Sequence, residues 1–139
     1  MKPVRVFFAQ PVDGIPPATI NENITQFKVL TKQLQLDVIT PYSKDVSTIT
    51  DREKAKEVVQ SDYLAVETCD IYLADISKIN HLFVGIFFEM AYAASLKKII
   101  IVYSGSSSIH QRTFILAHAD FACKTWNEVL DCIKKCKHL

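Results

Sequence analysis

The sequence predicts an α/β fold built on a parallel sheet, and three observations carry that prediction. Short apolar runs rich in β-branched and aromatic residues recur along the chain, and those at 71–74 and 98–103 are apolar on both faces, as is typical of buried parallel strands. The segment 83–95 between them has apolar residues close to helical spacing. A strand, a helix and a strand in this order form a βαβ unit, whose crossover is right-handed in nearly all proteins.

The other elements follow in chain order. Residues 4–9 predict a buried first strand, and the Pro and Gly residues within 10–17 predict a long loop after it. Asn21 or Asn23 is expected to cap a helix that runs to about Leu36, and Asp51 to cap another that continues through Val66. The remaining predictions are a strand at 37–40, an irregular segment at 44–50, a short helix at 109–117, a weak edge strand at 120–124 and a closing helix at 125–137 capped by Thr125.

Alternating strands and helices imply an open, mostly parallel sheet that is covered on both faces. The 139 residues suit one domain that spans the chain, residues 1–139. With five strands, we expect a flavodoxin-like three-layer sandwich with the strand order 2-1-3-4-5. Ligands of such folds bind at the carboxyl ends of the strands. The loops at 10–14, 75–85 and 104–110 should lie at that edge.

The composition excludes several classes of protein. A formal net charge of +1 and 49% hydrophobic residues are ordinary for a globular domain and give no reason to expect nucleic acid or a membrane surface as a partner. No apolar run approaches the ~20 residues that span a bilayer. The first residues lack the apolar region of a signal peptide, so we expect a cytoplasmic protein. No GxGxxG, HExxH or GxSxG motif is present, and no cofactor is expected.

Four cysteines occur without a CxxC pair, and free thiols are expected in a reducing compartment. Cys132, Cys136 and His138 have a spacing that a metal site could use. On a closing helix, however, the same spacing describes one packed face. We expect no metal site.

Glu89 is an acid among aromatic and aliphatic residues, in the stretch 85–92 (GIFFEMAY). A carboxylate in such surroundings costs free energy unless it is paired or functional. Apolar neighbours would raise its pKa, whereas the helix N-terminus and hydrogen bonds would lower it. A partly buried carboxylate can act as a nucleophile towards the C1 of a sugar. The alternative is an acid on the helix surface that interacts with the helix dipole.

Three further features of the sequence bear on a site. Asp75 directly follows a strand, where it can reach a ligand or cap the next helix, whereas Asp70 precedes that strand and is expected to be structural. Asp62 lies within a helix and resembles a solvated residue. The loop 104–108 (SGSSS) offers hydroxyl and N–H groups to an anion, although it lacks the Lys of a P-loop and such loops are mostly turns.

Three stretches match the pattern of a known enzyme family. Residues 6–10 (VFFAQ) resemble its first strand, and residues 62–75 (DYLAVETCDIYLAD) resemble its D-x-x-x-(I/L)-x-x-(A/C)-D entry into a strand. Residues 85–93 (GIFFEMAYA) resemble its G-(S/T/V)-x-x-E-(I/L/M)-G-x-A helix. On these residues the chain resembles the nucleoside 2-deoxyribosyltransferase family, which includes relatives that hydrolyse 2′-deoxynucleoside 5′-monophosphates. The likeness covers roughly residues 3–109.

The resemblance implies a glycosyl-enzyme mechanism without a cofactor. Glu89 would attack C1′ of the 2-deoxyribose, and Asp62 would orient the nucleoside or protonate the leaving base. A second base, or water, would then take the sugar. The resemblance also implies a homo-oligomer that acts on a small-molecule nucleoside or nucleotide. Its implied substrate-binding residues are Phe7, Ala9, Gln10, Asp75, Gly85, Ser104, Gly105 and Ser108.

The chain departs from the family pattern at the substrate pocket. Ala9-Gln10 replaces Gly-Ser, Ala91 replaces a Gly, and the segment 11–14 (PVDG) stands where the monophosphate hydrolases carry Arg-Gly-Gly. Asp13 in that segment would repel a phosphate, whereas Ser104, Ser108 and Arg112 could serve a 5′-phosphate or a 5′-hydroxyl. Four functional hypotheses therefore remain open: a transferase, a hydrolase of nucleosides or their monophosphates, a non-catalytic nucleotide-binding module and a TIR-like NAD-cleaving domain.

Overall fold

The computed structural model describes residues 2–41 and 48–137. Within these residues, five strands and five α-helices alternate. The strands are β1 (Arg5–Ala9), β2 (Asp37–Ile39), β3 (Ile71–Asp75), β4 (Ile99–Tyr103) and β5 (Phe121–Cys123). The helices are α1 (Pro17–Leu30), α2 (Arg52–Thr68), α3 (Val84–Ser95), α4 (Thr113–His118) and α5 (Trp126–Cys136), with short 3-10 turns at Lys32–Leu34 and Ile109–Gln111.

The strands form one parallel sheet in the order β2-β1-β3-β4-β5. In the centre of the sheet, Phe7 is paired with Tyr72 and Tyr72 with Ile100. The α/β fold class, the parallel sheet and the strand order predicted from the sequence are thus confirmed. All five strands end at the same edge, which is where the predicted site loops begin.

Alternate residues of the strands face two separate hydrophobic layers. Phe7, Tyr72 and Val102 face one layer, in which they pack with residues of α2, α3 and α4. Phe8 and Leu73 face the other layer, which α1 and α5 cover. The central strand residues are almost completely buried in both layers. The sheet therefore separates the carboxyl edge into two faces, a division that decides which site residues can meet.

Helix α1 differs from its prediction at both ends. It begins at Pro17, directly after Pro16, rather than at a cap provided by Asn21 or Asn23, and it ends at Leu30 rather than near Leu36. Proline is well suited to a first helical position because its φ is already helical and its missing N–H would have no partner there. Asn23 instead donates a hydrogen bond from its side chain to Gln10.

Other boundaries move by one or two residues, and the segment 109–117 is not one helix. Arg112 has an extended conformation and separates the 3-10 turn from α4. Asp51 and Thr125 cap α2 and α5 as predicted, since their side chains accept hydrogen bonds from backbone N–H groups of the first helical turn. Most of the segment 44–50, predicted to be irregular, lies outside the described residues, as does His138.

Asp70 has the structural role predicted for it, because its carboxylate accepts a 2.8 Å hydrogen bond from the backbone N–H of Arg5 at the amino edge of the sheet. Within the described parts of the chain, no helix combines the length and the apolar character needed to cross a membrane.

Candidate active site

Glu89 lies on the buried side of α3, close to the carboxyl edge of the sheet. It shares this side with Ile86, Met90 and Ala93, at the spacing of one helical face, and only 9% of its surface is exposed. The start of α3 is set by Phe83, whose φ of 54° is left-handed and uncommon for an aromatic residue. The helix therefore carries a carboxyl group into an apolar layer, where it needs polar partners.

Tyr72 supplies one of these partners from the middle of the sheet. Its hydroxyl group lies 2.9 Å from Oε1 of Glu89 and 3.2 Å from the carbonyl oxygen of Ile86, and it can donate to either. The ring is fully buried and stacks on Phe7, with 5.3 Å between the ring centroids. Burial first, and then the charge of Glu89, raise the pKa of Tyr72 well above its usual range. Tyr72 therefore remains a hydrogen-bond donor to Glu89 at any physiological pH.

Asp62 on α2 is the second polar group beside Glu89, and the two carboxyl groups interact electrostatically and by a hydrogen bond. Burial raises the pKa of Glu89 to about 8, and the negative charge of Asp62 adds to this effect, whereas the hydrogen bond from Tyr72 lowers that pKa. Two adjacent carboxyl groups of this kind titrate as a pair, and one proton is retained near neutral pH. Such a pair contains one carboxylate and one carboxylic acid.

Both acids open into a cavity of about 530 Å³ on the α2 and α3 side of the sheet. This volume lies within the range of ~300–1,000 Å³ that small-molecule sites occupy. Glu89, Asp62, Gly85 and Gln10 all contribute to its lining. Most of the remaining wall is apolar or aromatic, formed by Pro11, Val12, Pro41, Val59, Tyr63, Leu82, Phe83, Val84, Ile86 and Phe88.

His81 is the basic side chain among the described lining residues of this cavity. Its Nδ1 accepts a 3.0 Å hydrogen bond from the N–H of Phe83, and its Nε2 lies 3.3 Å from the carbonyl oxygen of Asp13. These contacts fit a neutral ring that carries its proton on Nε2, because Nδ1 must have a free lone pair and a carbonyl oxygen can only accept. His81 therefore joins the first loop to the start of α3 without adding positive charge.

Gln10 contributes to the cavity wall, but its side chain is directed away from the acids. It is 3% exposed, its Nε2 donates to the carbonyl oxygen of Ile20, and its Oε1 accepts from Asn23. Gly85 also lines the cavity, and an added Cβ would meet no atom there within 4 Å. Phe7 and Ala9 are buried in the strand below, where Phe7 supports Tyr72.

The other residues implied by the resemblance lie apart from Glu89. Asp75 lines a different cavity, on the opposite face of the sheet. Ser104 is fully buried, with Oγ 3.1 Å from Nδ1 of His110. Gly105 has a left-handed φ of 58°, and a Cβ added there would lie 3.2 Å from the Cβ of Ser77. Ser108 is exposed before a 3-10 turn.

Tyr72 and His81 are site residues that were not predicted from the sequence. Tyr72 could have been predicted from the sequence, because a tyrosine in the middle of a buried strand needs a hydrogen-bond partner for its hydroxyl group. The alternation of β3 also places Tyr72 and Asp75 on opposite faces of the sheet. The contacts of His81 depend on loop geometry, and no pattern in the sequence indicated them.

The fold and the sequence both relate this chain to known proteins. The family profile described as nucleoside 2-deoxyribosyltransferase matches residues 6–125. A 2-deoxyribosyltransferase from Bacillus psychrosaccharolyticus has a similar structure, with a TM-score of 0.72 and 17% identity over 91% of this chain and 90% of that one. The CMP N-glycosidase BcmB of Clostridium botulinum gives a TM-score of 0.56 and 16% identity over 94% and 98% of the two chains.

A conserved protein from Enterococcus faecalis V583 is also similar, with a TM-score of 0.66 and 13% identity over 96% of this chain and 99% of that one. A search of the curated proteins finds no match. At these identities the structural neighbours establish the shared fold alone. The profile match, in contrast, spans most of the 139 residues, including β1, α2, β3 and α3. This chain therefore belongs to the nucleoside 2-deoxyribosyltransferase family, and it is an enzyme of the type that transfers or hydrolyses at the N-glycosidic bond of nucleosides.

Proposed function

We propose that this protein transfers 2-deoxyribose between nucleobases through a covalent glycosyl intermediate on Glu89. One observation carries the proposal: a carboxyl pair, formed by the buried Glu89 and the half-buried Asp62, opens into a mainly apolar cavity of about 530 Å³. The alternative interpretation of Glu89 was an acid on the helix surface. Such an acid would be exposed to solvent, whereas Glu89 is buried and interacts with Tyr72 and Asp62.

In the first half of the proposed reaction, the ionised carboxylate of Glu89 attacks C1′ as the bond from C1′ to the base nitrogen breaks. The departing base takes up the electron pair of that bond, and the carboxylic acid of Asp62 donates a proton to it. The hydrogen bond from Tyr72 favours placing the negative charge on Glu89 and the shared proton on Asp62. The pair thus supplies a nucleophile and an acid from a single retained proton.

In the second half, an incoming base attacks C1′ and Glu89 leaves as a carboxylate. Asp62, which is now ionised, accepts the proton that the incoming base loses. Water can replace the base at this step, and the product is then free deoxyribose. The apolar wall favours transfer, because it limits the water that can reach the intermediate. The aromatic residues of the wall, Tyr63, Phe83 and Phe88, suit the faces of a planar base.

The charges around the cavity favour a neutral nucleoside over a nucleoside monophosphate. Its described lining includes three acids, Asp13, Asp62 and Glu89, and neither Lys nor Arg. A 5′-phosphate would add about two negative charges to this acidic surface. Arg112, the cation considered for that role, lines another cavity, beside α4. We therefore propose that 2′-deoxynucleosides are better substrates than their 5′-monophosphates.

We further propose that the protein works as a homo-oligomer. Leu82, Val84 and Phe88 surround the cavity and are 81%, 56% and 65% exposed. Apolar side chains clustered at the mouth of a site are a surface that a second copy of the chain can cover. Covering it would also exclude water from the sugar.

The proposal is tested by incubating the purified protein with deoxyinosine or deoxythymidine, with and without adenine, and separating the products by chromatography. Formation of deoxyadenosine only when adenine is present supports the transferase. Release of free base at the same rate with and without adenine shows a hydrolase and refutes transfer. No reaction with any nucleoside or with its monophosphate leaves a binding module. Glu89→Gln should abolish turnover, while Glu57→Gln, which changes an exposed acid on α2, should not.

A further inference from the structure

A second cavity, of about 480 Å³, lies at the carboxyl edge of the sheet on the α1 and α5 side. It is formed where β1, β3 and β4 end, and Gln10 and Pro11 are the described residues that it shares with the cavity of Glu89. The ends of these strands separate the two spaces. No role in the proposed reaction falls to this second cavity, although it is comparable in volume to the first.

One wall of the second cavity is a connected cluster of four aromatic residues, of which Tyr103 and Trp126 are partly exposed and Phe8 and Phe27 are buried behind them. Trp126 stacks on Tyr103 with 4.3 Å between the ring centroids, and Phe8 stacks on Phe27 at 4.5 Å. Trp126 lies 5.9 Å from Phe27 and so joins the two stacks. Aromatic rings in a concave site favour planar, aromatic ligands through stacking and edge-to-face contacts.

The polar groups of this cavity offer hydrogen-bond acceptors. Oδ1 of Asp75 accepts from the N–H and the hydroxyl of Ser77, at 3.0 and 2.6 Å. Among the described residues no donor reaches Oδ2, and no buried side-chain oxygen there lacks a partner. Oδ2 is therefore accessible to solvent, and Asp75 lines the cavity. The side-chain amide of Asn23 donates one of its two N–H groups to Oε1 of Gln10, and its oxygen can act as a second acceptor.

The charge of the lining suits a neutral ligand. Asp75 and Lys78 are its two charged residues within the described part of the chain. Burial raises the pKa of Asp75, and the hydrogen bonds from Ser77 oppose this effect only in part. A ligand N–H that donates to Oδ2 would stabilise the desolvated carboxylate, as such charge-assisted hydrogen bonds do.

From the aromatic wall and the open acceptors, we propose that the second cavity binds a planar nitrogen heterocycle with N–H donors, of the free nucleobase class. The ring packs against Trp126 and Tyr103, the partly exposed members of this aromatic wall, and an amino or ring N–H group donates to Asp75. This site is separate from the one at Glu89, and the proposal does not depend on the reaction proposed there.

Trp126 makes this proposal directly measurable, because it is the one tryptophan of the sequence and it lines this cavity. The whole protein is titrated with adenine and with cytosine while its tryptophan fluorescence is recorded, with excitation at the red edge of the tryptophan band and deoxyribose as a non-aromatic control. We expect a saturable change with each base and none with deoxyribose. Glu89→Gln should give the same titration curve. Binding at the second cavity can therefore be tested whether or not the reaction proposed at Glu89 takes place.

Two variants locate the bound base. Asp75→Asn removes the carboxylate and should weaken binding, raising the dissociation constant about tenfold, which is equivalent to about 1.4 kcal/mol. Thr19→Phe places a ring in the cavity from an exposed position on α1 and should abolish the saturable change. Asp131→Asn, on the exposed side of α5, is the matched control and should bind normally. Thermal melts show whether each variant is folded.

Two results would overturn the proposal. One is a fluorescence change that is absent or grows linearly with base concentration, as in collisional quenching of free N-acetyltryptophanamide. The other is a saturable change that persists unaltered in Thr19→Phe, which would place the base elsewhere. Because Thr19 is exposed, this second test holds even where Asp75→Asn fails to fold.

Discussion

Replacing Tyr72 with phenylalanine removes one oxygen atom from the centre of the candidate site and leaves the rest of the residue in place. The ring keeps its stacking contact with Phe7, while Oε1 of Glu89 loses its 2.9 Å hydrogen bond. Since that hydrogen bond lowers the pKa of Glu89, its loss must raise the pKa above the value of about 8. The proposed reactive form has an ionised Glu89 and its one retained proton on Asp62, so loss of this hydrogen bond should move the shared proton to Glu89 and reduce the population of that form.

The size of the effect follows from the strength of the lost interaction. A hydrogen bond to a charged group contributes about 1.5–3 kcal/mol, and one pKa unit corresponds to about 1.4 kcal/mol. We therefore expect the population of the reactive form, and kcat/KM with it, to fall by about 10- to 100-fold. Because the pair loses its retained proton as the pH rises through about 8, a higher pH should not restore the activity.

The assay is base exchange between deoxyinosine and adenine, measured at closely spaced pH values for the wild-type protein and Tyr72→Phe. Tyr63→Phe is the matched control, because Tyr63 also lines the cavity but stacks on Tyr92. It should leave kcat/KM close to the wild-type value. An unchanged kcat/KM in Tyr72→Phe, or its full recovery at high pH, would refute the assignment of an ionised Glu89 paired with a protonated Asp62.

Three other substitutions have distinct expected results. Asp62→Asn removes the proposed proton donor and a charge that raises the pKa of Glu89. We expect kcat to fall by about 100-fold or more and the decline of activity above about pH 8 to disappear, and an unchanged rate would make Asp62 a surface residue. Glu89→Gln should stabilise the fold at neutral and high pH. In the folded protein the pKa of Glu89 is about 8, above the ordinary 4.5, so the free energy of unfolding of the wild-type protein falls as the pH rises through this window. Glutamine does not ionise, so the variant should not show this fall. Melting temperatures at pH 4, 7 and 9 test this, and a gain as large at pH 4 as at pH 9 would contradict it. Phe88→Asp should lower the oligomeric state, as measured by sedimentation, and an unchanged assembly would remove the exposed apolar rim as the interface.

The order of the sheet could be predicted from the sequence because each central strand is a short apolar run with a polar stop. Asp75 and Ser104 end two of these runs, and the helix between them has its own period. Helix α1 was misplaced because Asn21 and Asn23 are both good capping residues, and the preference of proline for a first helical position prevailed. Local patterns therefore indicated that a helix was present more reliably than they indicated its first residue.

The candidate site was predictable in part. Glu89 could be recognised as an unusual acid in an apolar helix, and the family pattern pointed to Asp62. The same reasoning grouped Asp75 and the loop at 104–108 with them, because all of these residues follow strands at one edge. The structure places Asp75 in a different cavity, since residues 71, 73 and 75 of β3 face one side of the sheet and residues 72 and 74 face the other.

The sequence by itself determined the strands, their parallel order and the acid that the chain carries into its apolar layer, because hydrophobic periodicity and local capping act over a few residues. Only the tertiary structure decided which groups surround that acid. Tyr72 comes from the sheet, Asp62 from α2 and Glu89 from α3, and the packing of these three elements sets the distances between their side chains. The pKa of Glu89 depends on those distances and on burial, which are properties of the folded chain rather than of any segment of its sequence.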